Sequence, residues 1–137
     1  MIVKIRFLLL AAVLVWCSNT VSAQYTPEKG SAERKAIMDA LRVNAKNIKG
    51  LSGNIIFTVD RLQVQNGWAF IFASPQSADG KPLTKFQEWC EFDQQIIALL
   101  RKSGKGWRVV ARHVCPSDVS YEDWDKRYGA PRSIFGF

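Results

Sequence analysis

One histidine, three cysteines and two methionines are all that this chain of 137 residues offers as imidazole or sulfur ligands. The His-Glu-x-x-His, Cys-x-x-Cys, phosphate-loop and dinucleotide-binding patterns are all missing, which removes the commonest zinc, redox, nucleotide-hydrolysing and dehydrogenase sites. No segment repeats at a period of 20 to 50 residues and no stretch is of low complexity, so a solenoid is excluded. Acidic residues are few, 12 against 19 basic ones, leaving a net charge of +7. With 47% hydrophobic and 23% charged residues the chain is neither disordered nor a coiled coil, and its length suits one domain.

The only long apolar run, Phe7 to Trp16, covers ten residues. That is about half of what a ~30 Å bilayer core requires. Lys4 and Arg6 precede it and Val21-Ser22-Ala23 follows, small residues at the two positions a signal peptidase reads. Cys17 does not suit lipid attachment, because Trp16 stands where a small residue is needed. The expectation is a cleaved signal peptide over 1–23, one domain over 24–137 with a charge of +5, a periplasmic or secreted location and no stable membrane insertion.

Cys90 and Cys115 then remain, and an exported pair most often forms a disulfide. Closing the 25-residue loop between them is worth about 3 kcal/mol. A geometric tension accompanies the pairing. If 84–91 is a strand beside 95–102, the two cysteines lie two strands apart, about 9 to 10 Å at ~4.8 Å per strand, whereas a disulfide needs Cα atoms within about 7 Å. The bond therefore requires the middle strand to stop early and the chain to curl past its end near Pro116.

The spacing of Ile37, Ala40, Leu41, Asn44 and Ile48 predicts a helix over 31–48, capped by Ser31 and ended by Gly50, with Arg34, Lys35, Arg42 and Lys46 opposite. Asn66-Gly67 between two β-rich runs is the type I′ hairpin signature and sets Val64 against Ala69 and Leu62 against Ile71. Ile55, Phe57 and Val59 share a phase with Leu62 and Val64 only if a bulge sits at Asp60-Arg61. Strands are further expected over 84–91, 95–102 and 106–114, the last two joined by Ser103-Gly104-Lys105-Gly106. A short helix over 118–128 follows, with Ser120 and Asp123 as a capping box and Gly129 and Pro131 beyond. The fold class is α+β: an N-terminal helix on a bent antiparallel sheet of about five strands, with a short C-terminal helix.

That order is similar at the level of fold to cystatin-like and nuclear-transport-factor-like proteins. The segments Asn66-Gly67-Trp68-Ala69-Phe70, Ala98-Leu99-Leu100-Arg101-Lys102, Gly106-Trp107-Arg108-Val109-Val110 and Asp118…Trp124…Tyr128-Gly129-Ala130-Pro131 resemble small uncharacterised exported proteins of Gram-negative bacteria. The resemblance covers most of the chain beyond residue 23, but its motifs are structural; it implies no activity and no catalytic residue.

His113, Cys90, Cys115 and Asp118 can be drawn as nucleophile, base and orienter, yet nothing in their spacing requires it. Asp118, Glu122, Asp123 and Asp125 lack the spacing of a calcium loop, and carboxylates suit the first turn of a helix for electrostatic reasons alone. No catalytic, cofactor-binding or metal-ligating residue is therefore assigned. Two features point to binding. Trp68, Phe70 and Phe72 alternate along one strand, forming an aromatic face that is either covered by the C-terminal segment or open. Residues 94–117 hold Arg101, Lys102, Lys105, Arg108 and Arg112 without one acidic residue, with alternation placing Arg108 and Arg112 together on one face, opposite Trp107, Val109 and Ala111. Such a surface can attract anionic partners, an envelope or extracellular protein or an anionic ligand, with export arguing against nucleic acid; the other reading is a solvated edge whose charges guard against strand pairing. The expected function is a non-catalytic exported binding domain using this aromatic and basic sheet surface. The alternative is a small enzyme or small-ligand carrier with a pocket in the concave face of the sheet.

Overall fold

A computed structural model describes residues 22–137. All but the last two residues of the expected signal peptide, including Lys4, Arg6, the apolar run and Cys17, lie outside the described residues. Helix α1 spans Ala32–Ala45, and the Ser31 hydroxyl accepts from the Arg34 amide at 3.2 Å. Its core face is Ile37, Met38, Leu41 and Ala45, with Ile48 buried just beyond the helix end. Asn44, expected on that face, is only half-buried. Gly50 has φ +88°, and a Cβ there would lie 2.4 Å from the Phe86 amide nitrogen. A glycine is needed both for the left-handed turn and for that close approach.

Strands β1 (Ile55–Gln65) and β2 (Trp68–Ser77) form the expected hairpin. Asn66 and Gly67 both have positive φ, Val64 faces Ala69, and Leu62 faces Ile71. The register shifts between Val59 and Arg61, so the bulge lies at Asp60. Strands β3 (Ile96–Ser103) and β4 (Gly106–Val114) complete an antiparallel sheet in the order β1-β2-β3-β4.

The sheet has four strands rather than about five because 84–91 contains a helix, α2 (Thr84–Trp89). Leu83, Phe86 and Cys90 recur at spacings of three and four, and this is the face α2 turns to the α1 core. The correction also removes the cysteine tension. Cys90 ends a helix that packs on the sheet instead of lying in a neighbouring strand, and it bonds Cys115 with Cα atoms 5.6 Å apart. At Cys115 the backbone turns with φ +56° directly after β4, and its amide donates to the Gln95 carbonyl at 2.9 Å.

Both faces of the sheet are covered. On one, α1 and α2 pack against Leu62, Val64, Ala69, Ile71, Ile96, Ala98 and Leu100. On the other, Trp68, Phe70, Ile97 and Leu99 meet a C-terminal segment carrying Trp124, Ala130, Ile134 and Phe135. That segment contains α3 (Trp124–Tyr128) and a 3-10 turn, Arg132–Phe135, that the sequence reading omits. α3 is shorter than the expected 118–128. Its cap is Asp123, which makes no side-chain capping bond, and the Ser120 hydroxyl is buried without a partner, so no capping box forms. Gly129 does end the helix, with φ 78°.

Candidate functional site

The binding residues inferred from sequence separate into three environments. Trp68 is 6% exposed and Phe70 0%; both lie beneath the C-terminal segment. Phe70 packs edge-on against Phe135 with centroids 4.7 Å apart, and against Tyr121 at 4.9 Å. Phe72 is half-buried against Tyr121 at 5.6 Å. The aromatic face is thus a second core, and Trp68 and Phe70 are not available to a partner.

The basic residues divide next. The β3–β4 register shifts between Leu99 and Leu100, because β4 bulges at Val110. Trp107 and Val109 therefore belong to the α1 side, whereas Val110 and Ala111 belong to the C-terminal side. Arg112, opposite Ala98, falls on the α1 side, and Arg108, opposite Arg101, on the other. Alternation had placed the two arginines on one face; the bulge separates them. Arg112 donates from Nη1 to the Asn44 carbonyl at 2.9 Å and to the Asn44 side-chain oxygen. It fastens the last turn of α1 to the sheet, adding a second donor to the Asn44 carbonyl, which also accepts from the Asn47 amide at 3.2 Å.

Arg101 and Arg108 remain exposed, directly opposite one another, with Lys102 and Lys105 beside them. The Arg101 guanidinium lies 4.8 Å from the centroid of the Trp68 ring, a cation–π contact that holds it at the sheet surface. Like charges directly opposite on neighbouring strands destabilise a sheet. Among the described residues none of these four cations has a carboxylate within salt-bridge distance, whereas Lys35, Arg42, Arg127 and Arg132 do. The hairpin is thus a concentrated, uncompensated positive surface.

Arg61 is not among the residues that the sequence marks as candidates, although it adjoins the bulge that the apolar phase locates. Nη1 donates to the Phe135 carbonyl at 3.2 Å and Nη2 to the Ile134 carbonyl at 3.0 Å. The same guanidinium lies 5.5 Å from the Phe70 ring centroid and 6.0 Å from that of Phe72. Its role is to clamp the C-terminal segment onto the aromatic face.

His113 lies opposite Ile97, half-buried. Cys90 and Cys115 are joined, so neither offers it a thiolate. Among the described residues no group of three or more His, Cys, Asp or Glu side chains is gathered as a metal would need. Asp125 accepts from Arg132 at 3.1 Å. Desolvation opposes ionisation of that carboxyl, but the Arg132 bond, the Lys126 amide and both cations together hold it below the usual carboxylate value. Asp125, and Asp123 which pairs with Arg127 at 3.2 Å, are thus engaged within the C-terminal segment itself. The helices and the C-terminal segment pack on the two faces of the sheet, and two clefts lie at its margins, one along Ser74–Ser77 of β2 and one between α1 and β4. Among the described residues no helix is long and apolar enough to cross a membrane. Comparison with family models, with curated proteins and with solved structures finds no match to this chain, and the functional reading therefore rests on its own geometry.

Proposed function

We propose that the protein is a non-catalytic exported binding domain whose β3–β4 hairpin recognises an anionic partner. The observation that carries this reading is the exposed pair Arg101 and Arg108, set opposite each other without a carboxylate counterpart. A bound anion would relieve the repulsion between like charges held together on neighbouring strands. The Trp68 ring beneath Arg101 supports the guanidinium without neutralising it. Export is supported by the signal-like residues ending in Val21-Ser22-Ala23 and by the disulfide, which persists in oxidising compartments. The partner is an envelope or extracellular protein, or another anionic ligand, rather than nucleic acid.

Retention on immobilised heparin, used as a polyanion probe, tests the hairpin. Arg101→Glu with Arg108→Glu should elute at much lower salt than wild type. Lys46→Glu with Lys49→Glu, the same change of net charge placed elsewhere, should shift elution far less. Equal shifts for the two pairs would reduce the hairpin to a share of the overall charge. N-terminal sequencing of the exported protein tests the address: the expected first residue is Gln24, and retention of Met1 in a membrane fraction would refute it.

A further inference from the structure

Strand β2 outruns its neighbour. Ala73 pairs with Ile96, the first residue of β3, and the next four residues of β2, Ser74–Ser77, have no β3 partner. Along that flank the chain leaves a cleft of ≈ 570 Å³, walled by Ser74–Ser77, by the connection into α2 with Gln87, and by the Phe92–Gln95 loop. Its lining is unusual in composition. Gln76, Gln87, Gln94 and Gln95 contribute four carboxamides, Ser74 and Ser77 two hydroxyls, and among the described residues the charged groups of the lining are Lys81 and Asp93, one of each sign. Phe92, on the same rim, is 80% exposed, more than any other large hydrophobic residue described.

From this cleft we infer a binding site for a neutral polyhydroxylated ligand, a segment of a glycan chain. Each carboxamide presents two donors and one acceptor oxygen, and each sugar hydroxyl both donates and accepts, so the two chemistries complement each other. A pyranose also has an apolar C–H face, and an exposed aromatic ring beside a polar bed supplies the surface for it. The site is held ready. Asp60 accepts from Gln95 Nε2 at 2.9 Å and from the Ser74 hydroxyl at 3.2 Å, fixing one residue from each wall. The loop bearing Phe92 is tied by the Cys90–Cys115 disulfide and by the Gln95 amide, which donates to the Asp93 carbonyl at 2.7 Å. Ordering that is complete before binding need not be supplied by the ligand.

Other occupants fit the chemistry less well. An anion would meet one lysine with an aspartate on the same rim. A purely apolar ligand would strip water from four carboxamides without replacing their hydrogen bonds. An extended peptide adding to β2 would find Pro75, which has no N–H to offer it. The cleft is also separate from the basic hairpin: the two tight turns close the sheet at the Trp68 end, about 25 Å along β2 from Gln76.

The test is a titration of the purified, disulfide-bonded protein with maltohexaose, cellohexaose, chitohexaose and mannohexaose, following backbone amide resonances. At least one hexasaccharide should saturably shift the amides of Gln76, Ser77 and Phe92–Gln95, with an affinity that does not fall as salt is raised. Phe92→Ala should weaken that binding about tenfold, and Phe92→Tyr should keep it. The Phe92 side chain already lies in solvent, so its removal leaves the core intact, which the unchanged remainder of the spectrum verifies. Arg108→Glu should bind the sugar as wild type does, so a failure of the hairpin reading and a failure of this one are told apart. The inference is overturned if no hexasaccharide shifts those amides, if shifts fall only elsewhere, if Phe92→Ala binds as wild type, or if salt abolishes binding.

Discussion

Arg61 and Phe135 stand 74 residues apart in the chain and are joined by a guanidinium-to-carbonyl hydrogen bond of 3.2 Å. With the second bond to Ile134 at 3.0 Å, this fork closes the C-terminal segment over Trp68 and Phe70. Arg61→Ala should lower stability by about 2 kcal/mol, the range for hydrogen bonds from a charged group, and should increase binding of a hydrophobic dye. Lysine cannot reproduce the fork, so Arg61→Lys should recover only part of the loss. Chemical denaturation measures both, and an alanine variant as stable as wild type would show that the aromatic packing alone holds the segment.

Arg112 and Arg108 should behave oppositely although only three residues separate them. Arg112→Ala removes the ties to Asn44 and should lower stability by about 1 to 2 kcal/mol, with polyanion retention nearly unchanged. Arg108→Ala should leave the denaturation midpoint in place, or raise it slightly as the repulsion with Arg101 is relieved, and should weaken retention. The reverse pattern would contradict the bulge at Val110.

Reduction of Cys90–Cys115 should shift the denaturation midpoint by an amount worth about 3 kcal/mol and broaden the amide resonances of Phe92–Gln95. Thiol titration of unfolded, unreduced protein should find neither cysteine free. Two reactive thiols from these positions would sink the bond.

Tyr25 offers a pH-dependent test. Its hydroxyl donates to Glu33 Oε1 at 2.6 Å. That bond, with burial and the Glu33 charge adding to it, pushes the phenol from 10.0 up to about 12. The folded state therefore holds this proton more tightly than the unfolded one. The contribution is fully present below pH 10 and is lost as pH rises through about 12. Ring resonances of Tyr25 should titrate near the upper value in wild type and return toward 10.0 in Glu33→Gln. Titration near 10 in both proteins would mean that the contact does not persist in solution.

The parts legible in the sequence are those where one local rule has no competitor. Asn66-Gly67 dictates its turn, the three-residue step from Val59 to Leu62 betrays the first bulge, and Ser31 caps α1. The second bulge left no such mark. Val109, Val110 and Ala111 are apolar in both phases, so alternation does not locate the residue where the phase changes, and unbroken alternation puts Arg112 on the face of Arg108 instead of the α1 side. Helix α2 has six residues, too few for a helical period to stand out against a short apolar run. The covering of Trp68 and Phe70 depends on Ile134 and Phe135, more than sixty residues away, a pairing that no local pattern encodes.

The late position of the Arg61 clamp's acceptors bears on how the chain acquires its shape. During synthesis Trp68 and Phe70 emerge well before Ile134 and Phe135, so one side of the hairpin stays wet and adhesive until more than sixty further residues have followed. Contacts of such long sequence separation form slowly. A nascent chain that had not yet reached Ile134 would remain open on that side, with no carbonyl for the Arg61 fork to hold.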